Sequence, residues 1–178
     1  SLDLPLVTLV GVILADTGLH LEDYRAAERT FQLLTQVAGR AGRSPLGGNV
    51  VLQTFLPDHY AIQAAAGHDY HGFYNRELEE RRKIGYPPYN RLVRMEVRDL
   101  KPQKAEMTAR RMAAQVQNWL DEGGMRATRI IGPAPCFFAR QNSEYRWQII
   151  LCGPDPAKVL RERDLSGWRV EVDPVSLL

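Results

Sequence analysis

The chain has 178 residues, 44% hydrophobic and 25% charged, with two cysteines and a formal net charge of +2. That is enough apolar material for one ordinary domain or two small ones, which excludes global disorder. No apolar run approaches the ~18 residues of a membrane-spanning helix, and no basic-then-apolar leader opens the chain. Cys136 and Cys152 stand apart with no C-x-x-C, which argues against a disulfide framework or a cysteine-built zinc site and for reduced thiols in a cytoplasmic setting. The charge is unevenly spread: residues 1–60 carry four basic against six acidic side chains, and residues 61–178 nineteen against fifteen. Such a contrast points to two parts with different partners.

Val7 to Ala15 is a continuous, β-branched apolar run, the pattern of a strand buried on both faces in a parallel sheet. Nothing caps it before Ser1, so the chain reads as a piece of something larger, with further strands expected upstream. Asp23 is a plausible N-cap for a helix from about Tyr24 to Gly42. After a Ser44–Gly48 turn, Asn49 to Leu56 reads as a second strand, giving a strand–helix–strand unit. Short helices are expected over Tyr60–Ala66 and Asp69–Lys83, the second stopped by Gly85-Tyr86-Pro87-Pro88-Tyr89.

Beyond that stop the pattern changes. Leu92 to Arg98 alternates as a half-buried strand. Pro102 to Glu122 spaces its apolar residues as one helix face. Strands follow over Arg129 to Phe138, broken by Pro133 and Pro135, and over Tyr145 to Leu151. A short helix over Pro156–Arg163 and a last strand over Trp168–Val172 close the chain. The order β-α-β-β-α-β is the split βαβ, ferredoxin-like plan. The expected class is α/β (α+β), with residues 1–67 as one part, 68–89 as a connecting helix and linker, and 90–178 as the second part.

The helix near 25–43 carries the densest chemistry. At 100° per residue, Arg25, Arg29, Gln32, Gln36, Arg40 and Arg43 fall within about 80° of one another, and Ala27, Phe31, Leu34 and Ala38 lie opposite. Arginine forks fit phosphate oxygens bidentately, but a solvated polar face would look the same. Gly39 and Gly42 each cost a helix about 1 kcal/mol, and close approach of a ligand or another backbone would explain them.

Gln36-Val37-Ala38-Gly39-Arg40-Ala41-Gly42-Arg43 resembles motif VI (Q-x-x-G-R-x-G-R) of superfamily 2 helicases. The longer stretch from Ala15-Asp16 to Arg43 resembles the primosomal replication-restart helicases, the PriA family. Gly85-Tyr86-Pro87-Pro88-Tyr89, Tyr145-Arg146-Trp147-Gln148 and Val172-Asp173-Pro174 match landmarks of the same family, so the likeness covers essentially the whole chain. It implies a partial RecA-like lobe carrying motifs V and VI, followed by a C-terminal DNA-binding domain. The implied parent is an ATP-dependent 3′–5′ DNA helicase that recognises stalled or branched forks and restarts replication through primosome assembly. Gln36, Arg40 and Arg43 would serve ATP hydrolysis, with Arg43 as the arginine finger; Asp16, Gly39 and Gly42 would line the nucleotide side.

ATP and Mg²⁺ would act in the parent, and zinc in a cysteine-rich module that lies outside this chain. The chain shows neither a Walker A loop nor a Walker B segment, so alone it is expected to be inactive and to bind none of these. The alternative is a non-catalytic DNA- or primosome-binding module from a family member without a working ATP site. Implied partners are forked and single-stranded DNA, single-stranded DNA-binding protein and other primosome proteins, with no membrane.

Residues 126–152 hold four arginines against Glu144, interleaved with Phe137, Phe138, Tyr145 and Trp147. Aromatics beside arginines suit single-stranded or junction DNA. Strand alternation puts Tyr145 and Trp147 on the core side, so Arg140, Gln141, Arg146 and Gln148 are the candidate DNA contacts. His20, His59, His68 and His71 do not form a metal-ligand set. The segment 154–167 is shorter than its counterpart in the family, whose helix there contributes to the pocket for the tail of single-stranded DNA-binding protein; that site is not carried over.

Overall fold

The computed structural model describes residues 7–41 and 48–178. The chain divides into two compact units, residues 1–80 and 81–178.

In the first unit, β1 (Leu9–Val12) pairs in parallel with β2 (Asn49–Leu52), Val10 lying opposite Val50. Between them run a 3₁₀ turn (Thr17–His20) and α1 (Ala26–Ala41); α2 (Tyr60–Ala66) and α3 (Tyr70–Ile84) follow. The long apolar run therefore gives only four strand residues, and these alternate between exposed and half-buried. Two strands offer one face to the helices, and the other face leaves Leu9 and Val51 exposed. The core of this unit lies among the helices. Phe31 and Leu34 of α1 meet Ala61, Ile62 and Ala65 of α2 and Phe73 of α3. The Phe31 and Phe73 rings stack in parallel with centroids 4.1 Å apart.

α1 starts two residues later than its sequence suggests. The Asp23 carboxylate accepts a hydrogen bond from Arg25 N–H at 2.8 Å, holding a turn ahead of the helix. The 3₁₀ turn packs closely on α1: a Cβ on Gly18 would lie 2.6 Å from Thr30 Oγ1. α3 ends at Gly85, whose φ of +75° is the left-handed conformation of a helix stop. Tyr86 N–H bonds to Arg81 O and Gly85 N–H to Arg82 O, the crossed pair of a Schellman cap. The Gly85 carbonyl then accepts from Asn90 Nδ2 at 2.9 Å and Cys152 Sγ at 3.1 Å. Within the second unit, the Gly-Tyr-Pro-Pro-Tyr stretch thus begins at a helix stop whose carbonyl is held by Asn90 and Cys152.

The second unit contains β3 (Arg91–Asp99), α4 (Pro102–Glu122), β4 (Arg129–Gln141), β5 (Glu144–Gly153) and β6 (Arg169–Val172). The sheet order is β4-β5-β3-β6 with every pairing antiparallel, which is the split βαβ arrangement the pattern predicts. α4 covers one face: Val116 and Leu120 pack with Val93, Met95, Ile149 and Leu151. Trp119 and Trp168 pack against this cluster, whereas Trp147 is only half-buried. The second crossover is a 3₁₀ turn, Pro156–Leu160, instead of a helix to Arg163; its Val159 and Leu160 still reach the core. Among the described residues no helix is long and apolar enough to cross a membrane.

Candidate nucleotide and nucleic-acid sites

The arginine-rich face of α1 is divided by its acidic neighbours. Arg25 donates to both oxygens of Glu28, at 3.1 and 2.8 Å, and Arg29 donates to Asp23 at 3.0 Å. Gln32 also donates to Glu28. The first half of the face is therefore engaged within the chain. Further along, Gln36 and Gly39 are exposed, and a Cβ on Gly39 would meet nothing within 4 Å. No packing among the described residues explains this glycine. Arg40 belongs to the last turn of α1; its side chain, Gly42 and Arg43 lie outside the described residues.

Asp16 is buried where β1 ends. Its carboxylate accepts from Phe55 N–H at 3.1 Å and lies 3.6 Å from His20 Nε2. Burial disfavours its charge, but hydrogen bonds from the Thr54 side chain and the Phe55 amide outweigh that and hold its pKa below the usual carboxylate value. Asp16 thereby ties the end of β1 to the segment after β2.

In the second unit, the sheet face away from α4 is polar. Arg94, Glu96 and Arg98 of β3 alternate onto it, joined by Arg146 and Gln148 of β5 and Arg169 and Glu171 of β6. Arg98 lies directly opposite Arg146 in the β3–β5 register, a like-charge pairing that is unfavourable by itself. Glu96 resolves it. Arg146 Nε reaches Glu96 Oε1 at 3.0 Å and Nη2 reaches Oε2 at 2.7 Å; Arg98 Nε donates to Oε1 at 2.6 Å and Arg94 Nη2 to Oε2 at 3.1 Å. The side chains of Glu96 and Arg146 are only 4% and 8% exposed. Burial, the largest single influence, pushes the Glu96 pKa up, but the hydrogen bonds and positive charges of Arg146 and Arg98 together outweigh it and bring it down to about 2.

One wall of this face is made by a bulge in β4. Pro135 pairs with Trp147 and Arg140 with Tyr145, so residues 136–139 stand against Arg146 alone. Cys136 turns inward beside Arg94 Nη2, at 3.7 Å, while Phe137 and Phe138 remain exposed with rings edge-to-face at 5.0 Å. Arg146 Nη1 donates to Phe138 O at 3.5 Å. The hairpin closes through Asn142 and Ser143, with φ of +52° and +67°, the two left-handed residues of a type I′ turn. The chain's last residue returns to the same face, Leu178 O accepting from Arg94 Nη1 at 3.1 Å. Together these elements outline a cleft of about 290 Å³ whose lining includes Arg94, Arg98, Arg146 and Arg169, the acidic Glu96 and Glu171, Phe138, Gln141 and Leu178.

The four DNA-contact candidates thus separate. Arg140 and Gln141 are exposed at the hairpin, Arg140 lying over the Tyr145 ring at 5.4 Å. Arg146 and Gln148 lie on the polar face as expected but are buried, Arg146 as the partner of Glu96. Alternation identifies a residue's face and says nothing of what covers it. Arg94, Arg98 and Arg169 were not singled out from the sequence. Their signal was the Arg-x-Glu-x-Arg alternation in β3, which reads as an ordinary solvated face until β5 and β6 are placed beside it.

Residues 82–175 match the family model described as the primosomal protein N C-terminal domain. The chain is 46% identical to the replication restart protein PriA of Bacillus subtilis over 85% of its own length, and 42% identical to that of Synechocystis over 99%. The PriA of Treponema pallidum is 40% identical over 98% of the chain. The chain spans only 18–27% of the length of these relatives. The chain belongs to the primosomal protein N C-terminal domain family.

Proposed function

We propose that the chain is the C-terminal part of an ATP-dependent 3′–5′ DNA helicase that acts at stalled or branched replication forks and restarts replication through primosome assembly. The observation that carries this reading is the divided face of α1. Arg25 and Arg29 are paired with acids, while Gln36 and Gly39 remain open at the start of a stretch whose sequence, Q-x-x-G-R-x-G-R, runs on through Arg40 and Arg43. Gln36, Arg40 and Arg43 bring donors and no carboxylate, which suits an ATP phosphate; they supply no Mg²⁺ ligand. In this reading the parent provides Mg²⁺, zinc and the Walker loop, and Asp16 steadies motif V. The exposed faces of β1 and β2 are covered by the rest of the lobe. The protein works in the cytoplasm with forked and single-stranded DNA, single-stranded DNA-binding protein and primosome proteins.

The test is Arg43→Ala in the full-length parent. An arginine finger is worth about 10³–10⁵ in rate, so DNA-stimulated ATP hydrolysis should fall by at least a thousandfold while DNA binding persists. Unchanged hydrolysis would overturn the assignment. The second reading, a non-catalytic DNA-binding module, is favoured by the arginine-lined cleft of the second unit. It is tested by titrating the 178-residue chain with forked DNA at low and high salt, where binding must weaken as salt rises.

A further inference from the structure

We propose that the cleft on the polar sheet face is a phosphate-binding subsite for a single strand of DNA, with Arg98 and Arg169 as its free donors and Phe138 as a platform for one base. The proposal rests on the reading of the second unit as a nucleic-acid-binding domain and gives that reading a location.

The argument begins with Glu96. Its two oxygens accept four hydrogen bonds from Arg94, Arg98 and Arg146, which fills the capacity of a carboxylate. Glu96 therefore holds three guanidinium groups together and has nothing left for a fourth. Arg169 stands opposite Glu96 in the β3–β6 register, yet it has no ion-pair or hydrogen-bond partner among the described residues. Arg98 uses only Nε on Glu96, so its two terminal nitrogens stay available. The cleft holds four arginines against Glu96, Glu171 and, in the 178-residue chain, the terminal carboxylate of Leu178, four positive charges against three and a residual charge of +1 in a walled space that focuses the field. Arg94 Nε is buried without a protein partner, as expected where hydrogen bonding is incomplete until something else arrives.

This arrangement suits an anion with several oxygens. A cation is repelled, and an apolar group would strand the free donors. The choice of a nucleic-acid strand over a free anion comes from Phe138. It lines the cleft, is 58% exposed, and projects from a bulge whose backbone is held by Arg146. An exposed ring lining an arginine cleft serves a ligand that carries a phosphate and a flat base together. The Glu171 carboxylate in the lining disfavours packing two phosphates into the cleft, so one strand and one phosphate fit better than a duplex backbone.

The experiment uses the 178-residue chain and fluorescein-labelled dT12, followed by anisotropy from 50 to 300 mM salt, with inorganic phosphate as competitor. Arg98→Gln with Arg169→Gln should weaken binding at least tenfold and reduce the salt slope by about 0.7, the share of one phosphate contact on a single strand. Arg110→Gln with Arg111→Gln removes the same charge from α4 on the opposite side of the sheet and should change affinity less than threefold. Phe138→Ala should cost about tenfold with no change in salt slope, the mark of stacking. Phe138→Ala and Arg169→Gln alter exposed side chains, so they remain informative if Arg98→Gln disturbs the fold by circular dichroism.

Equal losses in the two arginine pairs would reduce the effect to overall charge and overturn the subsite. Unchanged dT12 and forked-DNA binding in all variants would overturn it too, while leaving the DNA-binding reading standing. Failure of the unaltered chain to bind either DNA overturns both. Competition by millimolar phosphate with no loss in Phe138→Ala would mark the cleft as a site for free phosphate, against the strand.

Discussion

Arg146 clasps Glu96 across β5 and β3 through two hydrogen bonds, Nε to Oε1 at 3.0 Å and Nη2 to Oε2 at 2.7 Å. The pair is diagonal, because the residue directly opposite Glu96 is Gln148 and the one opposite Arg146 is Arg98. One buried carboxylate thus permits two arginines to share a cross-strand site. Removing one partner of such a pair leaves the other charges buried and uncompensated, which costs several kcal/mol, whereas the intact pair by itself adds little.

The pH dependence of stability follows. The folded pKa of Glu96 is about 2, below its ordinary value of 4.5. A depressed carboxylate pKa gives stability that is fully present above the unfolded value and is lost as pH falls through the folded one. The chain should therefore lose on the order of 3 kcal/mol from this group between pH 4.5 and pH 2. Asp173 and Asp99 also have lowered pKa values, so the Glu96 part is isolated as the stability difference between the unaltered chain and Glu96→Gln. In urea unfolding at a series of pH values that difference should be largest near neutrality and shrink below pH 4.5. A difference independent of pH would contradict the account.

Phe31 and Phe73 join α1 to α3 by a parallel ring stack with 2° between the planes. Phe73→Ala removes buried ring area and leaves a cavity, at a cost of about 3–5 kcal/mol. Phe73→Leu keeps most of the apolar volume and should cost less than half of that, chiefly the stacking share of about 0.5–1.5 kcal/mol. Amide hydrogen exchange in α1 and α2 reads both effects. Equal acceleration by the two variants would show that the stack adds nothing beyond area.

Both cysteines are free and buried. Burial raises the Cys136 thiol pKa; the hydrogen bond from Arg94 opposes that without reversing it. A thiol so placed is held protonated, and the thiolate is the reactive form. Ellman's reagent should label neither cysteine at neutral pH in the native chain and both in urea. Rapid native labelling at Cys136 would mean that the β4 bulge opens readily.

The ferredoxin-like order was legible because alternation and helical spacing are local. Met95 and Val97 against Arg94 and Glu96, for example, mark a strand and its two faces. The β4 bulge was not legible. Pro133 and Pro135 read as breaks, but β4 is an edge strand, where proline costs no ladder bond it would otherwise make. The chain continues through them with two register shifts. The burial of Arg146 was hidden for a different reason: its partner Glu96 lies 50 residues away. Two opposite charges so far apart in sequence carry no sign of contact until the sheet is assembled. Along α1 the polar positions are visible by periodicity, but the engagement of the first ones is not, because Asp23 pairs with Arg29 from outside the helix.

That division makes Gly39 a sharp probe. In an exposed helix interior glycine is about 1 kcal/mol worse than alanine. An added Cβ at residue 39 meets nothing within 4 Å, so Gly39→Ala should stabilise the 178-residue chain by roughly 0.5–1 kcal/mol in urea unfolding. If the glycine is there to let a nucleotide or the facing lobe approach, the same change in the full-length parent should lower DNA-stimulated ATP hydrolysis at least tenfold while DNA affinity is kept. Stability and activity then move in opposite directions, as expected at a position kept suboptimal for function. A gain in stability with full hydrolysis would make Gly39 an accident of the surface. A loss of stability would mean that α1 packs more tightly near its end than the open space at Gly39 implies.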